Sequence, residues 1–227
     1  MYKKILIFFV FFITIYSYSQ RQIGNEILSH LHSNRPSFTH SISLDGSRLL
    51  TASPYVTNLD SNITTGGAIV YSNNGNEFIP LINSDEYSSW MYGENNGESL
   101  GYFSKISGDG NTVVLTSPVQ SQTSVDKSGY LKIMRYLDGS WNEIGKIFSK
   151  TVTNFNWFGH GLSISEDGNT ILFQEGWNGE KKYLVYEYDG QNWNQLGDDF
   201  DSGYFKNIPD PFVYASRLSA DGNFQAT

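Results

Sequence analysis

Short apolar runs, rich in β-branched and aromatic residues, recur along the chain between polar stretches of Gly, Asn, Asp and Ser. Such runs predict strands, and the polar stretches predict tight turns. The clearest set is Phe103–Ser107, Thr112–Ser117, Tyr130–Tyr136 and Trp141–Phe148, four strands in succession. Asp109-Gly110 separates the first two and Asp138-Gly139 the last two. Asp-Gly is a strong hairpin signal, because a type I′ turn needs positive φ at both central residues. One run differs in kind. Ile5 to Tyr16 is twelve residues without a charge, preceded by Lys3 and Lys4 and followed by Ser17-Tyr18-Ser19. It is too short for a bilayer, which takes roughly 20 apolar residues, and has the layout of a secretory signal peptide over residues 1–19. Cleavage is expected before Gln20, with a secreted or cell-surface location and no membrane span in the remaining chain.

The strand pattern repeats. Ser41-Ile42-Ser43-Leu44-Asp45-Gly46, Lys105-Ile106-Ser107-Gly108-Asp109-Gly110, Ser163-Ile164-Ser165-Glu166-Asp167-Gly168 and Arg217-Leu218-Ser219-Ala220-Asp221-Gly222 share an aliphatic-Ser-x-Asp-Gly core. The Asp-to-Asp steps are 64, 58 and 54 residues. Two more landmarks follow in the same order: an aromatic and β-branched run (Gly67–Tyr71, Gly129–Ile133, Lys182–Tyr186), then Asp138-Gly139-Ser140-Trp141 and Asp189-Gly190-Gln191-Asn192-Trp193. The first repeat has only Asn74-Gly75-Asn76-Glu77-Phe78 at this third place.

Each repeat therefore predicts a four-stranded antiparallel unit, and such a unit at this period is a propeller blade. The expected fold is all-β, a β-propeller-like array with about three complete blades in an incomplete ring. Residues 38–100, 101–157 and 158–213 are blades 1 to 3, and 214–227 is the first part of a fourth. Ile23-Gly24 is similar to the fourth-strand sequences Ile144-Gly145 and Leu196-Gly197. Residues 20–37 are accordingly expected to be a lone fourth strand and a linker. A propeller ring has four to eight blades, so a longer protein with further blades is expected.

The aliphatic-Ser-x-Asp-Gly-Asn-Thr segment, with Phe158-Gly159 before it and Thr116-Ser117-Pro118 after it, resembles the FG-GAP-like propeller repeats of secreted bacterial proteins. The Ser-x-Asp-Gly core is also similar to WD40-like repeats. The resemblance covers residues 22–227 and implies a blade fold and a binding or scaffold role, since propellers host many functions. Integrin-type FG-GAP repeats hold calcium in an Asp-x-Asp/Asn-x-Asp-Gly loop. Here the earlier ligand places are Ser41/Ser43, Lys105/Ser107, Ser163/Ser165 and Arg217/Ser219, which leaves one carboxylate per loop, at Asp45, Asp109, Asp167 and Asp221. A hard cation wants several oxygens, so calcium is a weak candidate and no cofactor is assigned. The sialidase Asp-box fails to match, because Gly directly follows Asp.

Composition narrows the function further. The 227 residues include 15 Tyr, 15 Phe, 5 Trp, 22 Gly and no Cys. Without Cys there is no disulfide, thiolate metal site or cysteine nucleophile. A net charge of -8 opposes nucleic-acid binding. His30, His32 and His40 lack the further ligands a zinc site needs. Trp141 and Trp193 recur and are expected in blade packing, whereas Trp90 and Trp157 do not recur and lie near loops. Trp90 and Trp157 are the candidate contacts to a glycan or protein ligand. No catalytic residue is assigned. The leading function is a noncatalytic binding or scaffold module. The alternatives are a fragment of an extracellular glycan-directed hydrolase and a calcium-dependent adhesive repeat.

Overall fold

A computed structural model describes residues 22, 24, 39–82, 87–118, 129–150, 158–176, 182–201, 217–222 and 225–226. The first sheet holds β1 (Thr39–Ile42), β2 (Arg48–Ser53), β5 (Gly67–Asn73) and β6 (Phe78–Pro80) in that order, with β7 (Met91–Tyr92) also on β5. A small hairpin, β3 (Thr57–Asn58) and β4 (Ile63–Thr64), stands in the loop before β5. The second sheet runs β8 (Ser104–Ile106), β9 (Thr112–Ser117), β10 (Tyr130–Leu137), β11 (Ser140–Phe148). The third runs β12 (His160–Ile164), β13 (Thr170–Glu175), β14 (Lys182–Tyr188), β15 (Trp193–Gln195), with β16 (Phe200–Asp201) also on β14. A last pair, β17 (Arg217–Leu218) and β18 (Gln225–Ala226), forms a separate hairpin. All pairings within these sheets are antiparallel.

The first strands β1, β8, β12 and β17 lie side by side in chain order. This is the blade arrangement of a β-propeller, with the sheets arrayed around the first strands and the ring left open. The fold is an all-β, propeller-like array of four-stranded blades.

The core lies between blades. Leu50, Ala52, Ala68, Val70 and Leu100 of the first blade pack on Ile106, Val113, Leu115, Tyr130 and Met134 of the second. Val114, Leu131, Ile133 and Ile147 leave the second blade by its other face and meet Phe158, Leu162, Ile171, Phe173 and Leu184. Successive residues of a strand point to opposite faces, so Val113 and Leu115 join one cluster and Val114 the other. Both faces are covered, which is why β9 and β13 are buried along their whole length.

Two turn expectations change in detail. Only Asp138-Gly139 has positive φ at both residues (51° and 82°), as a two-residue type I′ turn requires. The Ser-x-Asp-Gly turns are longer. Gly46 donates its N–H to Ser43 O at 3.0 Å, and Ser43 donates to Arg48 O at 2.9 Å. The recurrent Ser explains the difference. Ser43 Oγ donates to Asp45 Oδ1 (2.7 Å) and accepts from Arg48 N–H (3.0 Å), while Asp45 Oδ1 also accepts from Ser47 N–H (2.9 Å). Ser107 with Asp109 and Ser165 with Asp167 repeat the same set of bonds. Side chains here close a turn that a bare Asp-Gly pair would close with backbone alone. The turns at Asn74 and Asp189 are likewise closed by side-chain oxygens, each accepting two backbone N–H groups.

The fourth strand is continuous only in blade 2, where the register shifts between Ile133 and Met134, opposite Gly145. In blades 1 and 3 it splits into two short pieces, β6 with β7 and β15 with β16.

Candidate functional site

Strand direction puts the tight turns of every described blade at one end. The longer connections, between second and third strands and from one blade to the next, share the other end. Binding residues concentrate on such loops, held by the rigid sheets behind them.

At the loop end, near the first strands, rings from successive blades form a row. Tyr102 meets Phe103 edge-on at 5.1 Å, and Phe103 meets His160 edge-on at 5.2 Å. All three are half-buried, as is Tyr55 at the start of the 54–66 loop. Burial raises the Tyr102 pKa, and nearby Tyr55 adds to the rise. A row of partly open rings offers apolar area and polar edges for stacking against a ligand. Sequence reading missed this row, because Tyr102, Phe103 and His160 sit in stretches that vary among the repeats.

A second feature lies farther out, where the linker after β7 crosses blade 2. Glu94 Oε1 is 2.7 Å from Lys146 Nζ and 3.5 Å from Lys132 Nζ, and Glu143 Oε2 lies 3.5 Å from Lys132 Nζ. The Lys146 bond holds the Glu94 carboxyl below its usual range. Behind it, Glu98 is fully buried. Its Oε2 accepts the N–H groups of Glu94 and Asn95, each at 2.6 Å, while Oε1 has no hydrogen-bond partner. Burial raises the Glu98 pKa, and the two N–H bonds only partly offset that. The arrangement ties the linker to blade 2.

The structure places the sequence candidates as follows. Trp90 is 8% exposed and stacks on Tyr92 at 6.3 Å, within a cluster of Val56, Ile69 and Tyr71. Its ring fills blade packing, so a Trp near a loop is here a core residue and not an open ligand contact. Trp157, His30 and His32 lie outside the described residues. His40 is exposed on β1. Trp141 and Trp193 pack partly buried against the two inter-blade cores, beside Tyr136 (5.3 Å) and Tyr188 (5.2 Å). Asp45, Asp109 and Asp167 turn a carboxylate oxygen onto their own turn, bonded to the turn Ser and a backbone N–H. The Ser43 and Ser47 bonds lower the Asp45 pKa to about 2. Among the described residues no group of three His, Asp or Glu could hold a metal ion, and no helix is long and apolar enough to cross a membrane.

No family model and no curated protein matches this chain. Among solved structures it is similar to a Bacteroides fragilis protein assigned as a 6-phosphogluconolactonase (14% identity, TM-score 0.52). A Bacteroides uniformis protein with the same assignment is close behind (13%, 0.51). Both matches cover 84% of this chain and 46% of the other, so the chain spans about half their length. The β-propeller domain of the Pyrococcus furiosus trilobed protease, described with an open velcro topology, matches 72% of this chain at 11% identity and a TM-score of 0.41. The propeller-type repeat fold itself is read from the chain's own blades, whose first strands lie side by side.

Proposed function

We propose that this chain is part of a secreted or cell-surface propeller of the FG-GAP-like type that binds a protein or glycan partner through its loop end. The observation that carries the reading is the row Tyr102, Phe103 and His160 with Tyr55 nearby, half-open rings that rigid first strands hold in place. The layout of residues 1–19 supports export. The Ser-x-Asp-Gly turns support the repeat type. Lactonase or protease chemistry is not carried over from neighbours at 14% identity or less.

The test is a glycan and protein array probed with the purified chain, repeated with Tyr102→Ala and Tyr55→Ala. Capture that falls at least tenfold in either variant, with an unchanged melting temperature, supports the reading. Turnover of a glycan substrate that one carboxylate substitution abolishes would replace it with the hydrolase reading. A melting temperature lowered by chelator would favour the calcium-dependent adhesive repeat.

A further inference from the structure

One place in the repeat alternates in chemistry from blade to blade. It lies two residues before the turn Ser and holds Ser41, Lys105, Ser163 and Arg217 in turn. Where it is Ser, the side chain joins neighbouring first strands. Ser41 Oγ accepts the Ile106 N–H at 3.5 Å, and Ser163 Oγ accepts the Leu218 N–H at 3.0 Å. An ammonium has donors only, so Lys105 cannot accept the equivalent bond from blade 3. Blade 2 thus gives up an acceptor that blades 1 and 3 use. A departure of this kind from an otherwise consistent repeat is the mark of a functional constraint.

The register shows which way Lys105 is turned. Ser104 and Ile106 pair with Leu115 and Val113, and the Val113–Leu115 face packs on blade 1. Lys105 pairs with Val114, on the face toward blade 3. Phe103 is two residues before Lys105 and shares that face, in keeping with its contact to His160 of blade 3. Lys105 is exposed, next along the strand face from the half-buried Phe103. The described first strands carry no Asp or Glu: β1 reads Thr-His-Ser-Ile, β8 Ser-Lys-Ile, β12 His-Gly-Leu-Ser-Ile and β17 Arg-Leu. The chain as a whole has 23 acidic and 15 basic residues, so this strip opposes the overall sign.

A third group lies on the neighbouring strand. Gln174 is the cross-strand partner of His160 and is 3% exposed. Its Nε2 donates to Gly176 O at 3.3 Å, while its Oε1 is buried and accepts no hydrogen bond. Such an acceptor calls for a donor, which a ligand hydroxyl supplies directly or through one bridging water.

We propose that the ligand of the ring row is an anionic glycan, a chain of sugars bearing carboxylate or sulfate, whose charge Lys105 holds while its sugar faces stack on Tyr102 and Phe103. This deepens the loop-end binding reading and rests on it. A sugar ring presents an apolar C–H face to an aromatic side chain and hydroxyl donors at its rim. Both fit the surface here, with rings 5.1 and 5.2 Å apart along the row and the Gln174 acceptor on the next strand. The anion meets the one group of this surface that stacking leaves unused. An ammonium is a compact point charge, so it serves a carboxylate and a sulfate alike.

The test is titration calorimetry on the purified chain with probes of equal length: hexagalacturonate, its methyl ester and a sulfated galactan hexamer. At least one charged probe should bind about tenfold more tightly than the uncharged ester, the worth of one charge-assisted hydrogen bond. Raising the salt concentration should shrink that margin. A margin for hexagalacturonate assigns a carboxylate, and a margin for the sulfated probe assigns a sulfate. Lys105→Ser, which installs the residue of blades 1 and 3, should erase the margin while the melting temperature holds or rises. Lys105→Arg should keep the margin. Equal affinity for charged and uncharged probes overturns the proposal, and so does a margin that Lys105→Ser leaves intact. Failure to bind any of the probes overturns it too, and leaves the loop-end reading to a protein ligand. Tyr102→Ala separates the two readings, since it should weaken every probe. A Tyr102→Ala chain that binds like the parent removes the ring row and this proposal together.

Discussion

Two turns with the same Ile-Ser-x-Asp-Gly sequence stand in opposite settings. In Ile42–Gly46 and Ile106–Gly110 the Ser and Asp make the same internal bonds, and the glycines share φ near +70° (71° and 74°). Yet Ile42 is open and Ile106 is buried. Among the described residues nothing lies within 4 Å of a Cβ on Gly46, while a Cβ on Gly110 would lie 2.9 Å from Arg48 Cδ. The turn is a local structure, closed by its own side chains. Its glycine and isoleucine serve the neighbouring blade, and they contribute only where that neighbour is present.

Substitutions that act on one turn and spare the other sharpen this contrast. Ile106→Ala is expected to cost about 3 kcal/mol, transfer and cavity together, and Ile42→Ala under about 1 kcal/mol. Equal losses in urea unfolding would break the comparison. Next is Gly168→Ala, whose new Cβ would sit 2.5 Å from Thr112 Cβ and 2.3 Å from its Oγ1. About 3 kcal/mol is expected there, from overpacking added to left-handed strain. Gly46→Ala carries the strain alone, about 1 kcal/mol.

The arginines come third. Arg135 Nη2 donates to Gly168 O (3.0 Å) and Asn169 Oδ1 (2.8 Å), with its guanidinium 5.1 Å over the Tyr188 ring. Arg48 holds Gly110 O, Asn111 Oδ1 and the Tyr136 ring in the same way. Arg135→Ala should lower stability by about 2 kcal/mol. Arg135→Lys should recover less than half of that, because one ammonium cannot also make the Nε bond to Thr112 Oγ1 or lay a flat guanidinium on the Tyr188 ring. Full rescue by Lys would mean that charge alone matters.

The smallest expected effects are on pH dependence. Asp45 is held down to about 2 from 3.8, and Asp167 is also lowered, since bonds from Ser165 and Asn169 outweigh its burial. The unfolded chain takes up these protons first, so their stabilisation is complete above pH 3.8 and is lost as pH falls toward about 2. Glu98 has the opposite sign. Its raised pKa means that the unfolded chain releases this proton first, so stability declines as pH rises from 4.5 through the folded value. Glu98→Gln should flatten that upper limb of a melting-temperature profile and leave the acid limb alone. An unchanged upper slope would remove Glu98 as its cause.

Much of the fold was legible because blade strands carry local signals. β9 and β10 begin where the Thr112 and Tyr130 runs begin, and every Ser-x-Asp-Gly segment is a turn between first and second strands. The split fourth strands were not legible, since Leu196-Gly197 reads as continuous strand until pairing with β14 is seen on both sides of it. The candidate site was less accessible. Trp90 looked available because it lies near a loop and does not recur, but its burial depends on Val56, Ile69 and Tyr71, brought to it by the sheet. The Tyr102, Phe103 and His160 row joins residues from two blades, and no local spacing announces it.

The sequence by itself determined what short-range chemistry can encode: the repeat, the turns that Ser and Asp close, and strands apolar enough to be covered on both faces. Tertiary structure decided which copy of each repeated residue has a neighbour. Ile42 and Ile106, Gly46 and Gly168, and the recurring turn carboxylates have the same identity in sequence. They differ only in what stands a few ångströms away, and burial, steric fit and hydrogen bonding across a junction all depend on that distance.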